Sequence, residues 1–276
     1  MISIVIPTYN RAHSISKTIE SFLIQSFRDW ECVVVDDNST DNTQEVIMQY
    51  AQQDSRIRYV RNERSKGAQG ARNTGILHAQ YDWVCLFDSD DYAYPDFLSK
   101  MVNALSDGVD IVTSYLSIID TRTGKTDILK WGGDGNLQND ILKGVTYVAF
   151  NMAIIRKSKL LEIKLLDERC PAYQEFDTHI RLSAISIYKS VKLPLSDYYF
   201  CSPDSISVNT TKNLLGLLYI YKKHRCLWRK KQYWAFLKKT RDLFAKSDKT
   251  MRNKLIRIVP ELLVFYPLSI IKKKIS

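Results

Sequence analysis

The sequence predicts an α/β fold in which parallel strands alternate with helices, and three observations support this. Apolar segments such as "WECVVVDD" show no polar alternation, which is typical of a strand covered on both faces of a sheet. Helix-periodic segments lie between these strands; the first places Ile15, Ile19 and Phe22 on one face. Polar clusters follow the strands at their carboxyl ends, where doubly wound sheets bind ligands.

The elements of the first half follow in order. The first strand is "ISIVIP", which ends at Pro7, and the first helix is "SISKTIESFLIQ", with Ser14 as its N-cap. Next come the strand "WECVVVDD", the helix "STDNTQEVIMQYAQQ" and the strand "IRYVRN". A loop, "GAQGARN", feeds the third helix, and the fourth strand is "DWVCLFDSDD". The helix "PDFLSKMVNALSD" has Pro95 in its first turn. This β-α rhythm predicts a doubly wound layer.

The rhythm changes after about residue 110. Two strands are predicted there, "DIVTSYLSII" and "TYVAFNMAII", separated by the glycine-rich loop "WGGDGN". A short helix, "KSKLLEI", and a longer one, "QEFDTHIRLSAISIY", follow. The last third of the chain has the pattern of basic amphipathic helices.

Charge divides the chain into an acidic body and a basic tail. The formal net charge is +10, but residues 212–276 hold 18 Lys/Arg against 3 Asp/Glu, which leaves 22 against 27 in residues 1–211. The five cysteines are scattered and form no C-x-x-C pair, so we expect neither a zinc site nor a disulfide framework. The opening "MISIVIPTYN" does not resemble a secretory signal, and we therefore expect a cytoplasmic protein.

The segment "DSDD" places acidic side chains directly behind the fourth apolar strand. Asp88 and Asp90 are two residues apart, so on extended backbone their side chains leave the same face. Mg²⁺ and Mn²⁺ bind oxygen ligands, and magnesium sites commonly combine one or two carboxylates with substrate phosphates. The pair is therefore a candidate half-site for a metal–diphosphate. The alternative is a solvated turn in which Asp91 caps the next helix.

A second acidic pair follows the second strand, in "VVVDDNSTDNT". Asp36 or Asp37 could accept hydrogen bonds from a base N–H or a ribose hydroxyl. In the alternative interpretation one of the two merely caps the following helix, and Asp36 is the better candidate for that role.

The third polar cluster, "GAQGARNTG", follows neither the dinucleotide fingerprint nor the P-loop order. Its glycines permit a close backbone approach, and the planar guanidinium of Arg72 suits a phosphate or a base edge. Alternatively, Gly67 and Gly70 serve a tight turn and Arg72 is solvated.

Together, the blocks "ISIVIPTYNR", "VVVDDNSTDNT", "GAQGARNTGI" and "LFDSDDYAYPDF" resemble the family 2 glycosyltransferases. The resemblance covers roughly residues 1–105 and implies the GT-A fold, an α/β fold with a Rossmann-like nucleotide-binding half and a mixed central sheet, here followed by basic C-terminal helices. It implies a nucleotide-sugar-binding half (1–105), an acceptor-binding and catalytic-base half (106–211) and a basic tail (212–276). The implied activity is inverting sugar transfer from a nucleotide diphosphate, usually a uridine diphosphate, with Mg²⁺ or Mn²⁺.

The resemblance also implies roles for single residues in nucleotide binding. Pro7 and Tyr9 resemble the residues of the loop that lines the nucleotide base in that family. Asp37 resembles the aspartate that reads uracil, and Arg72 the basic residue beside it. Asp88 matches the first acid of the family's D-x-D motif, which faces the ribose or the metal.

The metal and the general base complete the implied site. Asp90 matches the acid that binds the metal, which neutralises charge on the departing diphosphate. The family's base is an aspartate in an "ED" pair, but here Gln174-Glu175 stands in that position. We therefore expect Glu175 to remove the acceptor's hydroxyl proton, with Asp177 as the second candidate. The alternative is that both acids belong to a capped helix start.

The basic tail interleaves cations with aromatic residues in "YKKHRCLWRKKQYWAFLKKTRDLF". This composition suits an interfacial helix on an anionic membrane surface. The apolar segment "LIRIVPELLVFYPLSII" is too interrupted for a spanning helix. The alternative is a basic extension that packs on the catalytic body or on a partner chain. Nucleic-acid binding also favours such stretches, but a sugar-nucleotide site explains the body better.

The sequence thus predicts a cytoplasmic glycosyltransferase, peripheral on the inner face of the membrane, that transfers sugar from a UDP-sugar to a glycan or lipid-linked acceptor in cell-surface polysaccharide synthesis. No "QxxRW" pattern is present, so we expect one sugar per encounter. Residues 131–136 are expected to shape the acceptor site. A sugar nucleotidyltransferase is one alternative, although "PTYNRAHS" lacks the glycine-rich loop of that class. An inactive scaffold is the other, left open by the Gln174-Glu175 departure.

Overall fold

The structure is a computed structural model that describes residues 1–200 and 210–228. Its strands are β1 (Ile2–Thr8), β2 (Trp30–Asp36), β3 (Ile57–Arg61), β4 (Trp83–Leu86), β5 (Tyr92–Ala93), β6 (Ile111–Asp120), β7 (Thr126–Leu129), β8 (Ala153–Arg156) and β9 (Tyr188–Phe200). Its helices are α1 (Ile15–Leu23), α2 (Thr43–Gln53), α3 (Ala68–His78), α4 (Phe97–Asn103), α5 (Gln138–Lys143), α6 (Lys157–Glu162), α7 (Gln174–Ser183) and α8 (Thr210–His224). Short 3₁₀ turns span Phe150–Met152 and Arg225–Leu227.

One mixed sheet runs through both halves of the described chain. Its strand order is β3-β2-β1-β4-β8-β6-β9-β5, and β7 pairs with β6 outside that path. Strands β3, β2, β1 and β4 are parallel, as the β-α rhythm predicts. Strand β8 is antiparallel to both β4 and β6 and joins the parallel layer to the second half. The predicted mixed sheet is therefore present.

The two faces of the parallel layer are both covered, which explains the absence of polar alternation in its strands. All seven residues of β2 are buried. Because successive side chains leave opposite faces, Val33 and Val35 pack in one apolar cluster with Ile76 of α3. Val34 packs in the other cluster with Ile19 of α1. The helices thus hold the sheet between two layers, and the strand ends carry the polar residues.

Four local predictions are wrong in detail. Helix α3 begins at Ala68, so "GARN" is helical rather than loop. Of "TYVAFNMAII", only the last three residues lie in a strand, β8, and Phe150–Met152 form a 3₁₀ turn from which Asn151 donates to Asp91. Helix α7 ends at Ser183, and "ISIY" leads into β9 instead. Helix α4 begins at Phe97, after Pro95.

Strand β9 was not predicted from the sequence at all. Pro194 lies inside it, and its pairing with β6 shifts register near Tyr115. Its buried residues Tyr188 and Leu195 belong to opposite core clusters, so burial in the sheet outweighs a weak local pattern.

The basic tail is described only at its start. Helix α8 buries Leu214, Leu217 and Ile220 against the body. The predictions for residues 229–276, including the interfacial helix, lie outside the described residues. Within the described ranges, we found no helix with the length and apolar character needed to cross a membrane. The four cysteines described there are free thiols, three of them buried.

Candidate functional site

The carboxyl ends of the parallel strands meet at one edge of the sheet. Thr8, the last residue of β1, pairs with Asp36 of β2, and the Asp37 amide donates to the Thr8 carbonyl at 2.9 Å. The Phe87 amide, just beyond β4, donates to the Val5 carbonyl of β1 at 2.9 Å. The polar residues that follow β1, β2 and β4 therefore lie along one edge, where open α/β sheets bind their ligands.

Asp37 is buried and held by two hydrogen bonds. Its Oδ1 accepts from Asn62 Nδ2 at 2.6 Å, and its Oδ2 accepts from the Gly67 amide at 2.7 Å. Gly67 precedes α3 with φ of +120°, a backbone conformation that favours glycine. An ionised carboxylate has about four acceptor positions, so two remain for a ligand. Sequence reasoning missed Asn62, although an asparagine at the end of the third strand is itself a signal.

Asp36, in contrast, is used inside the fold. Its Oδ1 accepts from the Ser39 amide at 2.9 Å and hydroxyl at 2.6 Å, and its Oδ2 accepts from the Tyr59 hydroxyl at 3.0 Å. Burial, followed by this bond to Asp36, raises the pKa of Tyr59 to about 12. The expectation that Asp36 caps the next helix is wrong, because α2 has Asn42 at its N-cap. Asp36 instead closes the turn that positions Asp37.

Arg72 and Asp88 form an ion pair between α3 and the turn after β4. The Arg72 side chain is only 6% exposed, so it is not the solvated residue of the alternative interpretation. Its Nη1 donates to Gln69 Oε1 at 2.6 Å, and its guanidinium carbon lies 4.8 Å from the centre of the Phe150 ring. A guanidinium held on both sides has a fixed orientation. Phe150 was not predicted as part of the site.

Three carboxylates crowd the turn after β4. Asp90 forms an ion pair with Arg11 at 3.4 Å, a contact that the sequence analysis missed. Asp91 is buried and accepts from Asn151 Nδ2 at 2.5 Å. Burial, and then repulsion from Asp88 and Asp90, raises the pKa of Asp91 well above its ordinary value. Asp91 does not cap α4, whose N-cap is Asp96. The turn thus gathers three carboxyl groups, of which Asp88 and Asp90 pair with arginines and Asp91 is buried.

The donor set at this turn fits a divalent cation that is shared with a substrate. Within residues 1–200 and 210–228, no group of three or more His, Cys, Asp or Glu side chains could hold a metal ion alone. The side chains of Asp88 and Asp90 are 30% and 31% exposed, so both reach solvent from one turn. Because magnesium sites commonly use one or two carboxylates plus substrate phosphates, these two residues suit such a site.

Glu175 brings a carboxylate from the second half to the same region. It lies in the first turn of α7, and its Oε2 accepts from the Tyr147 hydroxyl at 3.3 Å. Burial raises its pKa; the nearby Arg72 guanidinium lowers it, the Asp88 carboxylate raises it again, and the net shift is upward. Tyr147 lies three residues before Phe150, whose ring packs on Arg72, so one short segment contacts both Glu175 and Arg72.

Asp177, the second predicted base, lies in a different environment. It is fully buried, and both of its oxygens are occupied: Oδ1 by His224 Nε2 at 2.7 Å, and Oδ2 by Arg181 Nε at 3.1 Å and Lys223 Nζ at 2.9 Å. Burial raises its pKa, but the bond from His224 and the charges of Arg181 and Lys223 outweigh burial and lower it overall. Its polar contacts described here run to α7 and α8, away from Asp88.

The remaining predicted residues flank these groups. Pro7 is buried inside β1, whereas Tyr9 is 43% exposed, with Lys66 Nζ 5.0 Å from its ring centre. Trp131, in the loop expected to shape the acceptor site, packs edge-on against Tyr147 at 5.1 Å between ring centres. That loop therefore lies one side chain from Glu175.

Comparisons with known proteins place the chain in a family. Residues 3–163 match the family described as "Glycosyl transferase family 2". The Escherichia coli protein "UDP-Glc:alpha-D-GlcNAc-diphosphoundecaprenol beta-1,3-glucosyltransferase WfgD" is 44% identical over 105 residues, which are 38% of this chain and 41% of WfgD. The matched segment thus spans about two fifths of that relative.

Solved structures share the fold at low sequence identity. S. aureus TarS 1–349 in complex with UDP has a TM-score of 0.72 and 16% identity, covering 95% of this chain and 79% of TarS. The mannosyltransferase PcManGT from Pyrobaculum calidifontis, in complex with GDP-Man and Mn²⁺, has a TM-score of 0.62 and 16% identity, covering 96% and 80%. The GT-A fold predicted from the sequence is confirmed.

Proposed function

Because the chain belongs to glycosyl transferase family 2, we propose that it is an inverting glycosyltransferase that uses a UDP-sugar to extend a glycan or lipid-linked acceptor of a cell-surface polysaccharide. One observation carries the proposal: the Arg72 guanidinium of the first half packs 4.8 Å from the Phe150 ring of the second half, and Glu175 bonds to Tyr147, three residues before Phe150. An acid that can accept a proton and an acidic turn that suits a metal–diphosphate thus face one region. The names of WfgD and of the TarS–UDP complex support a uridine nucleotide as the donor.

In this proposal the edge of the parallel layer binds the nucleotide. Asp37, fixed by Asn62 and the Gly67 amide, accepts hydrogen bonds from the base. Tyr9 supplies an exposed ring beside it, and the buried Pro7 fixes the start of that loop. Arg72, locked on the Phe150 ring, presents a fixed positive charge.

Asp88 and Asp90 are the residues that would hold Mg²⁺ or Mn²⁺. The name of the PcManGT complex supports this assignment, as does the position of both carboxylates on one turn with their side chains partly exposed. When bound, the cation supplies charge neutralisation at the leaving diphosphate. The protein's own contribution is to keep two half-exposed carboxylates on a turn anchored by Asn151.

Glu175 acts as the general base in the proposed reaction. Its raised pKa brings it closer to neutral pH, where a carboxylate is a more effective proton acceptor. The acceptor hydroxyl loses its proton to Glu175 as its oxygen bonds to the anomeric carbon and the bond to the diphosphate breaks on the opposite face. Asp177 fits this role less well, because ion pairs occupy both of its oxygens and lower its pKa.

A donor assay tests the proposal and separates it from its alternatives. The full chain is incubated with UDP-sugars and Mn²⁺, and UDP release is measured with and without a lipid-linked acceptor. We expect UDP release by the wild type and a loss of about a hundredfold or more in Asp90→Ala. Asp107→Ala, which removes an exposed aspartate outside the site, is the matched control. A chain that releases no UDP under any of these conditions would refute the transferase. A parallel incubation with UTP and a sugar 1-phosphate then separates the alternatives, because a nucleotidyltransferase would release pyrophosphate there and a scaffold would not.

We also propose that the three-part division holds and that the basic tail, residues 212–276, attaches the protein to the cytoplasmic face of a membrane through the part that follows α8, since α8 itself packs on the body. Its charge, 18 Lys/Arg against 3 Asp/Glu, supports this. Sedimentation of the full chain with vesicles tests it. Binding to vesicles that contain anionic lipid should fall steeply with salt, and equal binding to neutral vesicles would refute the electrostatic part.

A further inference from the structure

A buried polar cluster joins α8 to the helix that carries Glu175. Lys223 Nζ, from the last turn of α8, lies 2.8 Å from Asp177 Oδ1 and 2.9 Å from Asp177 Oδ2. The neighbouring His224, itself buried, contacts Asp177 Oδ1 at 2.7 Å. Asp177 is two residues after Glu175 in α7. These contacts therefore hold the first turns of α7 from one side.

Lys223 also binds a second carboxylate from another segment. Its Nζ lies 2.7 Å from Asp167 Oδ2, which accepts from the Tyr219 hydroxyl at 2.6 Å as well. One ammonium group thus bridges the segment before α7 and α7 itself. The backbone of α8 is equally close: a side chain at Gly216 would place its Cβ 2.6 Å from the Ala172 carbonyl oxygen. Helix α8 therefore lies directly against the chain that leads into α7.

The chain on the other side of Asp177 is held in a strained form. Arg181, paired with Asp177, donates from Nη1 to the Ile163 carbonyl at 2.8 Å and to the Leu165 carbonyl at 2.7 Å. Lys164 and Leu165 have φ of +61° and +67°, which is unfavourable for residues other than glycine. Such conformations persist where the surrounding structure holds them. Asp177 is thus bonded on one side to α8 and on the other to Arg181, which holds this strained turn.

We propose that α8 is a strap that keeps α7, and with it the Glu175 carboxylate, in position for proton transfer, and that Lys223 is the main positioning residue. The inference rests on the proposed function for its catalytic part. The strap lies beyond residues 3–163, the part of the chain that matches the family. It assigns α8 a role other than membrane attachment.

Hydrogen exchange of the full chain tests the strap without reference to activity. In Lys223→Met we expect the amides of residues 177–183 to exchange about tenfold faster or more than in the wild type. Lys222→Met removes an exposed lysine from the same turn and should leave those rates unchanged. Tyr219→Phe, a milder change that removes the hydroxyl bonded to Asp167 and leaves Lys223 in place, should give an intermediate rate. If these amides exchange at the wild-type rate in both Lys223→Met and Tyr219→Phe, the proposal that α8 holds α7 is wrong.

Kinetics tests the link to Glu175. Lys223→Met should lower kcat about tenfold or more while KM for the donor stays within about twofold, because the nucleotide half is untouched. Lys223→Arg, which keeps the charge, should recover most of kcat. In a Glu175→Gln background, Lys223→Met should cause no further loss, because both changes act on one step.

The outcomes separate the two claims. Additive losses in the double variant, or an unchanged kcat per folded molecule, would overturn the positioning role. Full transfer activity in Glu175→Gln would instead refute the proposed base, and the exchange experiment would still decide whether α8 holds α7.

Discussion

The replacement of Glu175 by glutamine is the sharpest test of the proposed chemistry. Glutamine keeps the size of the side chain and an oxygen that can accept from the Tyr147 hydroxyl, 3.3 Å away in the wild type. The change therefore removes the proton acceptor with little loss of packing. It also removes the negative charge that lies near Asp88, so binding of an anionic donor should not weaken.

The expected loss follows from the role assigned to the carboxylate. A placed general base contributes about 10²–10⁴-fold in rate, equivalent to roughly 3–5 kcal/mol of transition-state stabilisation. We expect kcat to fall by a factor in that range. The Kd for UDP should change less than about twofold, which corresponds to a difference in binding free energy below about 0.4 kcal/mol. Glu162→Gln, which neutralises an exposed glutamate of α6, is the matched control and should retain wild-type kcat.

The pH dependence gives an independent reading of the same residue. Since burial and Asp88 raise the pKa of Glu175, the wild type should lose activity on acidification at a pH above the ordinary range of a glutamate. That acidic limb should be absent from the residual rate of Glu175→Gln. A variant with near-normal transfer, or with an unchanged acidic limb, would refute the assignment and return attention to Asp177.

Three further predictions concern the first half. Arg72→Lys should lower kcat/KM for the donor about tenfold or more, because a lysine cannot contact Asp88 and Gln69 at the same time. An unchanged kcat/KM would show that the fixed orientation of the guanidinium is not needed. Asp37→Asn should weaken UDP binding by about 1–2 kcal/mol in isothermal titration, and unchanged affinity would remove Asp37 from the nucleotide site. Asp91→Asn should raise stability at neutral pH, because burial disfavours the charged form of this carboxyl group. The folded-state pKa of Asp91 is raised, so the wild type loses stability as pH rises from about 4, whereas the variant should not; denaturant unfolding at several pH values measures the difference.

The sequence determined the parallel half because its signals are local. A strand covered on both faces reads as a nearly continuous apolar run, and β2, which is buried at all seven positions, is apolar at five of them. Because strand ends in such a layer converge, the positions of Asp37 and Asp88 at one edge followed from the order of elements alone. The specific blocks then identified the family.

Tertiary structure alone decided which polar residues meet. No local pattern pairs Arg11 with Asp90, Asn151 with Asp91 or Tyr147 with Glu175, since each pair joins segments far apart in the chain. Strand β9 likewise owes its existence to burial of Tyr188 and Leu195 rather than to its own periodicity. Asp177 shows the difference most clearly: its sequence neighbourhood is that of a base, but the desolvated charges of Lys223 and Arg181 around it favour a structural ion pair. The pKa of a carboxyl group depends on its burial and on the charged and hydrogen-bonding groups within a few ångströms in space. Most of these groups are far away in the sequence, so only the packed chain determines the pKa.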